Sequence, residues 1–193
     1  MNLVERVKNI LLQPNSEWAL IEKEPGDAGT LFSNYVCIVA AIPPVCSFIG
    51  YTLIGFGPMR FGLFGGLLHA IITYLLTLAG VFVMAYIIDF LAGTFGARQD
   101  LNSAMKVSAY APTAAWVAGV FSLIPVLSVL GILGLYSLYL LHTGLAALMK
   151  PPAEKALLYT IAVIVCVFVV YLVVFGIIGA LFGVGMVGMM GRM

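Results

Sequence analysis

The sequence predicts an all-α polytopic membrane protein: a five-helix transmembrane bundle behind a short amphipathic N-terminal segment. Three observations predict it. Of 193 residues 63% are hydrophobic and only 9% charged, against about 25% charged in an ordinary soluble domain. The charges are also unevenly spread: none lies between Asp27 and Arg60, Arg60 and Asp89, Lys106 and Lys150, or Lys155 and Arg192. These gaps run 32, 28, 43 and 36 residues, and a membrane-crossing helix needs about 20 apolar residues. Finally, the apolar runs lack the strict alternation of barrel strands, so their backbone groups must pair within helices.

A soluble globule is excluded, because 17 charged side chains cannot cover a chain of this length. A formal net charge of +1 carries no clustered basic excess, so nucleic acid is not an expected partner. Cys37, Cys46 and Cys166 are scattered through apolar runs without CxxC spacing and read as small packing residues.

In chain order, residues 1–30 form an amphipathic segment. Leu3, Val4, Val7, Ile10 and Leu11 recur at helical spacing, Asn2 can cap them, and Glu5 sits three residues on in the capping-box position. Pro14 ends this helix, and Asn15 or Ser16 can begin a second one carrying Trp18, Leu20 and Ile21. About ten residues are marginal as an isolated helix, so the apolar face must lie on something. Two geometries satisfy this: an interfacial helix with Trp18 among the headgroups, or a lid over the ends of the bundle.

Residues 31–193 form the membrane domain, with spans at 31–54, 63–91, 103–123, 126–149 and 157–188. The 43-residue gap holds two of them, broken near Pro125. An odd number of spans places the chain ends on opposite sides. With the N-terminus cytoplasmic, Arg6, Lys8, Lys23, Arg98, Lys106, Lys150 and Lys155 lie inside and only Arg60 and Arg192 outside. That is the arrangement the positive-inside rule favours.

Polar groups inside the spans are the candidate functional residues. Asp89 ends the second span and Lys106 begins the third, a placement that makes an ion pair easy; a proton- or ion-responsive site is the sharper reading. Tyr136, Tyr139, His142 and Thr143 form a polar stripe that either satisfies itself between helices or lines a cavity. Pro43, Pro44 and Pro112 fall mid-span and free backbone carbonyls. Gly176, Gly179, Ala180 and Gly183 form a small-residue face for close helix approach, within the bundle or between subunits. His69 and His142 lie at different depths with no carboxylate or thiol at ligand spacing, so no metal or other cofactor is expected. No GxSxG, HExxH, P-loop or paired-carboxylate arrangement is present, and no catalytic residue is assigned.

Several segments together resemble one family. These are Ala41-Ile-Pro43-Pro44-Val-Cys46-Ser-Phe48-Ile-Gly50, Lys106-Val-Ser108-Ala-Tyr110-Ala-Pro112-Thr, and Gly134-Leu-Tyr136-Ser-Leu-Tyr139-Leu-Leu-His142-Thr-Gly144. Met149-Lys150-Pro-Pro152 with Glu154-Lys155-Ala and Tyr159, and the opening from Arg6 through Pro14 to Trp18, extend the pattern. The chain resembles the bacterial inner-membrane branch of the Yip family, named for Ypt/Rab-GTPase-interacting proteins. The resemblance implies five transmembrane helices, a cytosolic N-terminus and an inner-membrane location, but no reaction and no ligand site. Family members in eukaryotes are linked to trafficking, bind small GTPases and associate with one another. Here the N-terminal segment is only about 30 residues, so GTPase binding does not carry over. The expectation is a non-enzymatic protein acting by association, as a scaffold or membrane organiser. Its partners would be membrane lipids and a second copy or another membrane protein. The rival is a small-molecule or ion transporter or channel using the polar intramembrane residues.

Overall fold

The computed structural model describes residues 2–25, 27–55 and 62–190, with side chains for these except residue 28 and residues 174–190. The described residues are helical, with no strand. Gly176, Gly179, Ala180 and Gly183, proposed as a packing face, fall in the part of the last helix whose side chains are not described, and Arg60 and Arg192 lie outside the described residues.

Helices α1 (Leu3–Leu12) and α2 (Pro14–Lys23) form a hairpin. The Asn2 side chain accepts from the Val4 amide at 3.4 Å, and Pro14 opens α2 in the first turn, where its missing N–H costs nothing. The hairpin lies across one end of the bundle with Ile10, Trp18 and Ile21 fully buried. Of the two geometries open to this segment, the chain adopts the lid.

Among the described residues four segments are long and apolar enough to cross a membrane: α3 (Gly29–Ile54), α4 (Leu63–Phe95), α7 (Pro125–Met149) and the described part of the last helix, Ala153–Val173. The third expected span is instead broken into α5 (Leu101–Tyr110), α6 (Thr113–Ala118) and a tight turn, Gly119–Leu123. Pro112 supplies the break, since it has no N–H to continue the ladder. The amide of Ala115, left over in the first turn of α6, donates to Ser137 Oγ of α7 at 2.9 Å. The last helix, α8, runs Ala153–Met190.

Burial explains why a broken element is tolerated. Every residue from Ala104 to Ala111 is buried, so α5 is the centre of the bundle and its irregular end is enclosed by protein rather than lipid. The continuous helices turn large apolar side chains outward, among them Phe64, Phe90, Val129 and Phe168. Pro43 and Pro44 likewise interrupt α3. The Ala41 amide donates to the Ile38 carbonyl, and the Cys37 carbonyl accepts the Tyr74 hydroxyl of α4 at 2.8 Å. A carbonyl near a proline break thus becomes an interhelical bond.

At the lid end, α4 stops at Gly96, whose φ of +69° is the left-handed cap that a residue without Cβ adopts freely. The Arg98 amide then donates to the Met149 carbonyl at 2.7 Å, tying the α4–α5 connection to the end of α7.

Candidate functional site

The lid is held by groups from three elements. Lys106 on α5 points into the end of α2 and donates to the carbonyls of Ile21 at 2.9 Å and Glu24 at 2.7 Å. These carbonyls lie at the C-terminal end of α2, where the Glu24 amide also reaches the Ile21 oxygen at 3.3 Å, and the negative end of the helix dipole favours a cation there. Trp18 Nε1 donates to Thr143 Oγ1 of α7 at 3.1 Å, and its ring meets Tyr110 edge-on at 6.2 Å. Lys150, beyond α7, pairs with Glu22, and that hydrogen bond holds the Glu22 carboxyl below its ordinary pKa.

Within the hairpin, Arg6 is buried against Glu17 at 2.8 Å and also pairs with Glu24, with its guanidinium 5.6 Å from the centre of the Tyr110 ring. Burial works against the Arg6 charge, but the Glu24 hydrogen bond and the surrounding groups outweigh it and hold its pKa above the ordinary value.

These groups border a cleft of about 510 Å³ between the lid and the first turns of α3 and α5. The hairpin contributes Leu3 and Arg6, and the strap after it Glu24, Pro25 and Asp27. From α3 come Thr30, Leu31, Asn34 and Tyr35; from α5, Asn102, Met105, Lys106 and Tyr110. The Asp27 carboxylate accepts from the Thr30 hydroxyl and, at 3.2 Å, from the Gly29 amide; these bonds keep its pKa below the usual carboxylate range. Asp100 caps α5, accepting from Ser103 Oγ at 2.6 Å and the Asn102 amide at 3.3 Å.

The ion pair expected between Asp89 and Lys106 is not made. Lys106 is taken by the end of α2, a partner 82 to 85 residues away in sequence. Asp89 sits beside Tyr159 of α8, and its Oδ1 is buried without a hydrogen bond. The Tyr159 hydroxyl donates to the Ile88 carbonyl at 2.5 Å rather than to this carboxylate.

The stripe on α7 divides three ways. Tyr136 and Tyr139 pack side by side with ring centres 5.4 Å apart and planes tilted by 34°, and both are exposed. His142 Nδ1 is 2.9 Å from Thr160 Oγ1 of α8, and Thr143 receives Trp18. A second cavity, of about 310 Å³, opens between α4, α6, α7 and α8 beside Pro112 and Ser137; neither it nor the cleft is lined by His142 or Tyr139. His69 lies 3.3 Å from Thr73 on its own helix, and among the described residues no three His, Cys, Asp or Glu come together.

The cleft itself was not legible. Its residues are single polar groups at helix ends, which read as caps; the one signal was Lys106, a charge inside an apolar stretch.

Apolar outward faces, a buried irregular centre and four helices of spanning length define an all-helical integral membrane protein. The profile of the Yip1 domain matches residues 8–175, and the chain belongs to that family. It is 32% identical over 127 residues to "Inner membrane protein YohC" of Escherichia coli (strain K12), and equally to the protein of that name in strain O6:H1. The match covers 63% of this chain and 65% of each relative. No solved structure matches the chain.

Proposed function

We propose that this protein is a non-enzymatic inner-membrane protein that works by association, as a scaffold or organiser whose contact surface is the lid end of the bundle. One observation carries the reading. The lid spends its inner face on the bundle, yet its outer face presents Val4, Leu12 and Leu20, with Val4 and Leu12 69% and 68% exposed. A surface fixed in place by Lys106, Trp18 and Lys150 loses little conformational entropy when a partner docks on it.

The location is supported by the names of the Escherichia coli relatives. A cytoplasmic lid and a C-terminus on the opposite side rest on the basic residues of the lid end, Arg6, Lys8, Lys23, Arg98, Lys106, Lys150 and Lys155. Transport is the less favoured reading because His142 and Tyr139 border neither cavity described above.

Self-association measured by fluorescence energy transfer in liposomes, at falling protein-to-lipid ratio, tests the association reading. Transfer should survive dilution in the parent and fall at least fivefold in Val4→Glu/Leu12→Glu; transfer that tracks random mixing would defeat it. Solute flux in the same liposomes decides the rival. A flux abolished by His142→Ala or Lys106→Ala would place transport first.

A further inference from the structure

We infer that the cleft between the lid and the first turns of α3 and α5 is a binding site for the headgroup of an amine-bearing zwitterionic phospholipid. Position is the first argument. Thr30, Leu31 and Asn34 lie in the opening turns of a membrane-spanning helix, and Asn102 and Lys106 in the opening turns of the central one. The cleft therefore sits at the depth where headgroups lie, at a volume of about 510 Å³.

Charge is the second. Lys106 has three N–H donors and gives two to backbone carbonyls, leaving one for a phosphate oxygen at the cleft. Arg6 is offset by Glu17 and Glu24, so the lining offers one cation not matched by a carboxylate. On the same cleft, Asp27 is bonded to the Thr30 hydroxyl and to backbone amides and has no cationic partner within 4 Å among the described ion pairs. A ligand with phosphate at one end and a primary amine at the other answers both groups at once. A purely anionic headgroup would leave Asp27 unanswered and meet Glu24 as a like charge. Leu31, Met105 and the ring of Tyr35 supply an apolar wall for the glycerol and upper acyl chain.

This inference stands on the cleft and does not depend on the association reading. It is tested with the delipidated full chain in detergent, by native mass spectrometry, using phosphatidylethanolamine and phosphatidylglycerol with identical acyl chains. Phosphatidylethanolamine should bind at least tenfold tighter. Asp27→Asn, at an exposed position whose change leaves the lid's anchors intact, should reduce that preference below threefold. Lys106→Met should weaken both lipids together. Water-soluble phosphoethanolamine should displace the lipid only in hundredfold excess. Equal binding of the two lipids, or a preference untouched by Asp27→Asn, overturns the site; displacement by equimolar phosphoethanolamine overturns the lipid as its ligand.

Discussion

The indole of Trp18 occupies the space that a side chain at position 144 would fill: a Cβ built on Gly144 comes within 2.7 Å of Trp18 Cζ2. The ring cannot shrink, so Gly144→Ala must push the lid outward or shift α7. Overpacking of this kind costs about 1–3 kcal/mol. In a Trp116→Phe background, which leaves Trp18 as the one tryptophan, Gly144→Ala should red-shift the emission and speed proteolysis near Pro14. Unchanged emission and cleavage would mean that the lid does not depend on this contact.

Lys106 is the second anchor. Replacing it with Met keeps the stem packed but leaves two terminal carbonyls of α2 without their charged donor, which costs about 1.5–3 kcal/mol. Hydrogen exchange of the amides in 14–24 should accelerate at least tenfold, while those of α4 stay protected. A uniform acceleration across both would show that Lys106 supports the whole bundle and not the lid alone.

Asp100 gives the protein a pH dependence. Its bonds to the Ser103 hydroxyl and the Asn102 amide, with Arg98 3.5 Å away, hold its pKa below the ordinary carboxylate value. Its unfolded value is about 3.9. Because the folded value is the lower one, its contribution is complete above about pH 4 and disappears as pH falls through the folded value. Asp100→Ala should therefore cost about 1 kcal/mol at neutral pH, with the gap to the parent narrowing under acid. Thermal unfolding in detergent at neutral pH and near pH 3 measures both. A gap that does not change with pH would mean that the carboxylate's charge plays no part.

Two glycines make a matched pair. A Cβ at Gly50 would collide with the Ser122 carbonyl oxygen and lie 2.9 Å from that of Leu123, whereas at Gly131 nothing lies within 4 Å. Backbone oxygens cannot swing aside as a flexible side chain can. Gly50→Ala should lower the midpoint of unfolding by several degrees, reflecting a cost of about 1–3 kcal/mol. Gly131→Ala should leave it unchanged or slightly raised, since alanine suits helices better. Equal midpoints would refute the close crossing of α3 on the Gly119–Leu123 turn.

Much of the fold was readable because a bilayer imposes a length rule on apolar segments. The charge gaps pointed to membrane-crossing helices, and Pro112 marked the place where the third segment breaks. How that break is satisfied was not readable, since the Ala115 amide finds Ser137 only once α7 packs there. The same holds for Lys106. A lysine inside an apolar run announces a cost but not a creditor; the nearby Asp89 looked suitable, while the actual acceptors are main-chain oxygens whose availability depends on where α2 ends. Asn34, Asn102 and Asp27 gave no sign of sharing a cleft, because polar residues at helix ends are ordinary caps when seen singly.

Composition and charge spacing alone determined that the chain is helical and embedded in lipid, because unpaired backbone groups and isolated charges are too costly there to leave other choices. Tertiary structure alone decided what the N-terminal hairpin covers, which carbonyls Lys106 serves and which polar groups face one another. Those outcomes depend on packing between segments up to 125 residues apart, as with Trp18 and Thr143, and no local pattern encodes such a distance.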